Sequence, residues 1–181
     1  MKKHIFYIFL GVFLLFMTSC MEEQNFDQID DLSITPTIES SIIYVESPER
    51  LINLASGISF YTAAFNFDAF SQAYFAERVL DGSITYELEN TTSKEMEILF
   101  EFLDEGGNSL DSEQFFLEPE STAVLQREVF YGGTGRSLDI IANTSSLSVS
   151  VRNLGNSTSI SSIPSPKIVL RSSAKFRVRL K

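Results

Sequence analysis

One cysteine, one histidine and no tryptophan occur in the 181 residues of this chain. The two singletons fall in the first twenty positions, as His4 and Cys20. Beyond Cys20 there is no imidazole for serine–histidine catalysis and no His or free Cys for a zinc site. A single cysteine also forbids a disulfide within the chain, so stability has to come from the core. Without tryptophan there is no Trp-lined groove for glycoside hydrolysis, and the 16 phenylalanines read as core filling. The long apolar run in Ile5 to Met17 covers 13 residues, short of the roughly 20 that a helical span needs. Cations are scarce: 14 Lys and Arg stand against 24 Asp and Glu, a net charge of -10.

The first twenty residues have an order of their own. Lys2 and Lys3 precede the apolar run, and Phe16-Met17-Thr18-Ser19-Cys20 closes it, the layout of a secretory signal. That ending resembles the lipobox of bacterial lipoproteins, with small Ser19 before the cysteine and Met17 where leucine is usual. The resemblance implies cleavage before Cys20 and attachment of diacylglycerol, with palmitate-type chains, to its thiol. The alternative is a plain buried thiol after a conventional signal peptide. One acyl chain binds a membrane only marginally, and two or three hold it stably. The divisions expected are a lipoprotein signal peptide over 1–19, an acidic tether over 20–32 (Glu22, Glu23, Asp27, Asp30, Asp31) and a domain over 33–181. By the same resemblance, Met21 in place of Asp leans towards the outer membrane. Glu22-Glu23 is similar to the acidic export tag of Bacteroidota surface lipoproteins, which leaves the periplasmic and the cell-surface side both open.

Removing Lys2 and Lys3 leaves 12 cations against 24 acids. Such a surface repels nucleic acid and anionic headgroups, so neither is expected as a partner. Six of the 12 cations crowd into the last 15 residues, where there is no acid: Lys167, Arg171, Lys175, Arg177, Arg179 and Lys181.

Along the chain, period-two alternation dominates. Ile84, Tyr86 and Leu88 alternate with Thr85, Glu87 and Glu89, and a turn at Asn90 to Ser93 leads into Met96, Ile98, Phe100 and Phe102. We expect these to be two antiparallel strands of one unit, wet on the side of Glu97 and Glu101. Leu147, Val149 and Val151 repeat the pattern, as do Ile168, Leu170, Ala174, Phe176, Val178 and Leu180, with Ser172 as the exception. Further strands are expected around Ile42 to Val45, over Ile58 to Phe67 and over Thr122 to Phe130, and Phe115 and Leu117 lead to Glu118-Pro119-Glu120-Ser121. Short helices are expected after Ser47-Pro48-Glu49, burying Leu51, Ile52 and Leu54, near Phe67 to Leu80, and over Ser137 to Ala142. The sum is an all-β, Greek-key sandwich of about seven strands with one to three short helices, immunoglobulin-like as the nearest label. The stretch from Ile84-Thr85-Tyr86-Glu87-Leu88-Glu89-Asn90-Thr91-Thr92 to Phe100-Glu101-Phe102-Leu103-Asp104-Glu105-Gly106-Gly107-Asn108 resembles uncharacterised Bacteroidota lipoproteins with a small β-sandwich, distantly like the late-embryogenesis-abundant type. That resemblance implies a fold and an address, and carries no functional residue beyond Cys20.

Few residues offer chemistry. Arg171, Lys175, Arg177 and Arg179 line one side of the last strand. They would dock an anionic partner, or else form the solvent side of a strand beside Glu87, Glu89, Glu97 and Glu101 and guard a terminal edge. Gly132-Gly133-Thr134-Gly135-Arg136 lacks the Gly-Lys-Ser/Thr ending of a phosphate loop and reads as a turn. Asp104, Glu105, Asp111 and Glu113 surround a Gly-Gly turn without EF-hand spacing and read as a solvated acidic loop. We expect no cofactor, metal or enzymatic activity. The expected role is a lipid-anchored envelope protein that binds or scaffolds another envelope component, the alternative being an accessory that captures glycan at the cell surface.

Overall fold

In the computed structural model, alternating sequences among the described residues become eight strands: β1 (Thr37–Pro48), β2 (Ser59–Asn66), β3 (Val79–Asn90), β4 (Met96–Leu103), β5 (Ser109–Leu117), β6 (Leu125–Tyr131), β7 (Ser146–Asn153) and β8 (Lys167–Val178). Three short helices among the described residues interrupt them: α1 (Glu49–Leu54), α2 (Ala73–Ala76) and α3 (Leu138–Asn143). The structure describes residues 33–55, 59–67 and 73–180. The expected signal peptide and acidic tether, with Cys20, and also Gly57, Phe70 and Lys181 lie outside the described residues. Among the described residues no helix is long and apolar enough to cross a membrane.

The strands form two antiparallel sheets, ordered β1-β8-β3-β6 and β2-β7-β4-β5. Four of the pairings, β4 with β5, β3 with β6, β2 with β7 and β1 with β8, are those of a single long hairpin. Rolling that hairpin upon itself adds the remaining two, β3 with β8 and β4 with β7. The result is a Greek-key sandwich with the strand order of a jelly roll. The all-β sandwich with short helices is what the alternation leads one to expect, and the order refines the immunoglobulin-like label.

Inward-facing residues of both sheets meet in one core. Tyr86, Phe100 and Phe115 form its aromatic centre, with ring centroids 4.8 to 5.9 Å apart, a spacing that favours tilted and edge-on pairs. Ile84, Leu88, Met96, Ile98, Val149, Val151, Leu170 and Phe176 fill the space around it.

Several local expectations are corrected. β3 and β4 are not hydrogen-bonded neighbours; they lie in opposite sheets and face each other across the core. The turn between them is a corner built on buried Asn90. Its Oδ1 accepts from the Thr92 amide and hydroxyl, and its Nδ2 donates to the carbonyls of Lys94 and Glu118. β8 is not a sheet edge, because β1 and β3 flank it. α1 starts one residue later than expected, with Pro48 at its N-cap position and no side-chain cap. It buries Ile52 but leaves Leu51 and Leu54 exposed, since a helix of six residues presents only one turn to the core. Within Phe67 to Leu80, where a helical stripe is expected, the described residues hold α2, and Val79 opens β3. Ser137 does cap α3, accepting from the Asp139 amide at 3.1 Å.

Candidate functional site

β1 begins with Thr37 opposite Arg177 and ends with Pro48 opposite Lys167. At about 3.3 Å per residue its 12 residues span some 40 Å, so the two ends of the sandwich are well separated. The Pro48 end carries the most chemistry.

There the chain from Leu154 to Pro166 is pinned by a buried carboxylate. Glu49, which opens α1, is 3% exposed. Its Oε1 accepts from the Ser93 amide at 2.6 Å and the Ser93 hydroxyl at 2.5 Å, and its Oε2 from the Ser161 amide at 2.9 Å. Lys94 is fully buried beside it, with Nζ 3.9 Å from Glu49 Oε1. That ammonium donates to the Ser159 carbonyl at 2.7 Å, to the Ser93 hydroxyl at 3.0 Å and to the Ser159 hydroxyl. Three donors meet three acceptors, as a buried ammonium requires. Burial pushes the Glu49 carboxyl up, but the Ser161 and Ser93 hydrogen bonds and the Lys94 charge outweigh it and hold its pKa below the ordinary value. Glu120, at φ 53°, accepts from the Ser162 amide at 2.6 Å, which likewise holds its carboxyl down. Ser165 also sits at φ 53°, a left-handed conformation that costs non-glycine residues roughly 1–3 kcal/mol.

Above this polar floor opens a cleft of about 700 Å³. Pro48, Leu54, Ile160 and Pro166 supply apolar walls, and Arg50 and Asn53 line it as well. Leu54 and Ile160 are 70% and 79% exposed. Asn53 donates through Nδ2 to the Ser159 carbonyl at 3.2 Å, while its shielded Oδ1 has no partner among the described residues. Neither Glu49 nor Lys94 stands out in the sequence. Their only signal is that Lys94 is the sole cation between Arg78 and Arg127.

The basic residues of β8 lie on its outer face and are partly neutralised. Arg171 pairs with Glu89 at 2.5 Å, and Arg177 forms a two-point contact with Asp81, Nε to Oδ1 at 3.2 Å and Nη2 to Oδ2. Each carboxylate raises the pKa of its arginine. Lys175 stands exposed between Glu39 and Ser83 in register. Arg179 lies beyond the end of β8, its amide donating to the Arg78 carbonyl. Of the four glutamates expected beside this face, Glu87 and Glu89 are there. Glu97 belongs to the other sheet and pairs with Arg152 at 2.6 Å, and Glu101 is on the same strand. Lys175 and Arg177 do meet the glycine loop: with Asp81, Glu128 and exposed Phe130 they line a shallow groove of about 500 Å³.

The glycine loop is a turn. Gly132 and Gly133 adopt φ of 81° and 57°, open to glycine at little cost. Three amides close it: Gly132 to the Arg136 carbonyl, Gly135 to that of Gly132 and Arg136 to that of Phe130. Its closure places Arg136 against Asp111 at 2.5 Å and against Glu113. The acidic loop is therefore divided. Asp104 holds the β4–β5 turn by accepting from the Asn108 amide at 2.8 Å, whereas Asp111 and Glu113 are held by Arg136 and, for Glu113, by Arg127 at 2.7 Å. Among the described residues no group of three or more metal-ligating side chains converges.

No family model matches the chain, and no curated protein matches it in sequence. Among solved structures it is similar to the VP2 subviral particle of infectious bursal disease virus, at 7% identity and a TM-score of 0.42, over 80% of this chain and 32% of that one. It is similar to a chain of black queen cell virus at 12% identity and a TM-score of 0.40, over 87% and 75%. A protein of the disulfide-linked Bacillus endospore appendages shares 10% identity at a TM-score of 0.35, over 80% and 89%. The chain spans about a third of the length of the first of these.

Proposed function

We propose that this is a non-enzymatic lipoprotein of the outer membrane, held through acylated Cys20, whose sandwich is a binding module for another envelope component. The cleft at the Pro48 end is the observation that carries the binding reading, because it joins apolar walls to polar groups on a floor fixed in advance. Phe16-Met17-Thr18-Ser19-Cys20 supports the anchor. The test is fractionation of cells carrying Cys20→Ser. The parent protein should sediment with the outer membrane at its mature size, and the variant should be missing from it and run larger, with its signal peptide uncleaved. A variant that stays with membranes at unchanged size contradicts the anchor.

A second reading, capture of glycan at the cell surface, has one observation in its favour. On the outer groove the exposed Phe130 ring adjoins preset donor–acceptor pairs, Asp81 with Arg177 and Ser83 with Glu128, which suits a sugar's apolar face and hydroxyls. An array of neutral glycans should then lose binding to Phe130→Ala. Equal binding by that variant and the parent would refute the groove as the site.

A further inference from the structure

We propose that the cleft at the Pro48 end takes a short apolar peptide segment that bears a carboxylate. This deepens the binding-module reading and rests on it. Its volume of about 700 Å³ lies within the roughly 300–1,000 Å³ of ligand pockets, enough for two or three side chains. Leu54 and Ile160, both largely exposed, lose water when such a segment lies between them. The polar groups specify the rest. Asn53 Oδ1 is taken from solvent without a partner among the described residues, and a peptide N–H is the donor it lacks. Arg50 is exposed and has no carboxylate partner among the described residues. The other cations of this end are committed: Lys94 to Glu49 and Ser159, and Lys167 to Glu46 at 3.2 Å. The free guanidinium therefore calls for an acidic side chain or a C-terminal carboxylate.

The lining includes no aromatic ring, which leaves a saccharide nothing to stack on. A bare acyl chain would use neither Asn53 nor Arg50. The walls are also held before any ligand arrives, by Glu49 through Ser93 and Ser161, so little ordering cost is left to binding.

The experiment pans the full-length protein in detergent with phage displaying random octapeptides. The best enriched peptide is then synthesised with a fluorophore and titrated by anisotropy. Enrichment of adjacent aliphatic residues beside an acid is expected. Arg50→Glu and Ile160→Asp, both at exposed positions, should each weaken binding about ten-fold or more, and Glu105→Lys in the exposed β4–β5 turn should leave it within about two-fold. Unchanged melting temperatures show that the variants fold. Peptides that bind the Arg50→Glu and Ile160→Asp proteins as tightly as the parent overturn the proposal. So does enrichment without that pattern, or a neutral glycan whose binding Ile160→Asp removes. If membrane retention through Cys20 persists in that case, the peptide site alone fails; if retention is also lost, the lipid-anchored reading fails with it.

Discussion

At the scale of single residues, the Glu49–Lys94 pair is the feature on which the Pro48 end turns. Glu49→Gln leaves a fully buried ammonium with two serines for company, and removing one partner of a buried pair costs about 3 kcal/mol or more. A lower urea midpoint with an unchanged slope should report it. The pH dependence has a definite sign. The folded pKa of Glu49 is depressed, so its stabilisation is complete above the ordinary carboxylate value near 4.3 and is lost as pH falls through and below it. Acid should therefore loosen the Leu154 to Pro166 chain in the parent, and the Gln variant should lack that part of the transition. Tyr86 makes the opposite case. Its hydroxyl is buried in the aromatic centre with no partner among the described residues, and burial raises its pKa. Tyr86→Phe should raise stability by about 1 kcal/mol, read as a higher melting temperature; a lower one would show that the hydroxyl is satisfied. None of this is legible in the sequence. Glu49 reads as an ordinary first-turn acid there, because its partners lie 44 and 112 positions away.

At the scale of elements, alternation identifies the buried faces of β3, β4, β7 and β8 but not the neighbour at each edge. Ile84, Tyr86, Leu88, Met96, Ile98, Phe100 and Phe102 are all buried as expected. Yet β3 and β4 are opposed across the core, because the Asn90 corner turns the chain from one sheet to the other. A two-residue hairpin turn and a sheet-crossing corner draw on the same Asn, Thr and Ser, so composition does not separate them. The β4–β5 turn was legible, because Gly107 supplies a φ of 77° and Asp104 caps it. Gly82 carries no such turn signal, although the β3–β8 pairing depends on it. A Cβ there would overlap the Phe176 ring and the Lys175 carbonyl, and backbone on a central strand cannot yield as a flexible side chain can. Gly82→Ala should cost about 3 kcal/mol and lower the denaturation midpoint. Unchanged stability would mean that β3 and β8 are further apart than described.

At the scale of the whole molecule, a hairpin folded at Asp104–Asn108 and rolled into two sheets brings distant segments together. Arg136 closes the β5–β6 side through Asp111 and Glu113, and the Leu154 to Pro166 chain closes the Pro48 end through Glu49. The class of sandwich was legible from turn spacing and alternation. The jelly-roll order was not, since it follows from which edges meet after rolling. The proposed anchor belongs to this scale too. The most direct measurement is mass spectrometry of the N-terminal peptide of the protein purified from membranes of its own host. The account predicts a first residue at Cys20, its sulphur bearing diacylglycerol. A peptide that runs unbroken from Ser19 into Met21, or one that starts elsewhere with an unmodified Cys20, would contradict it.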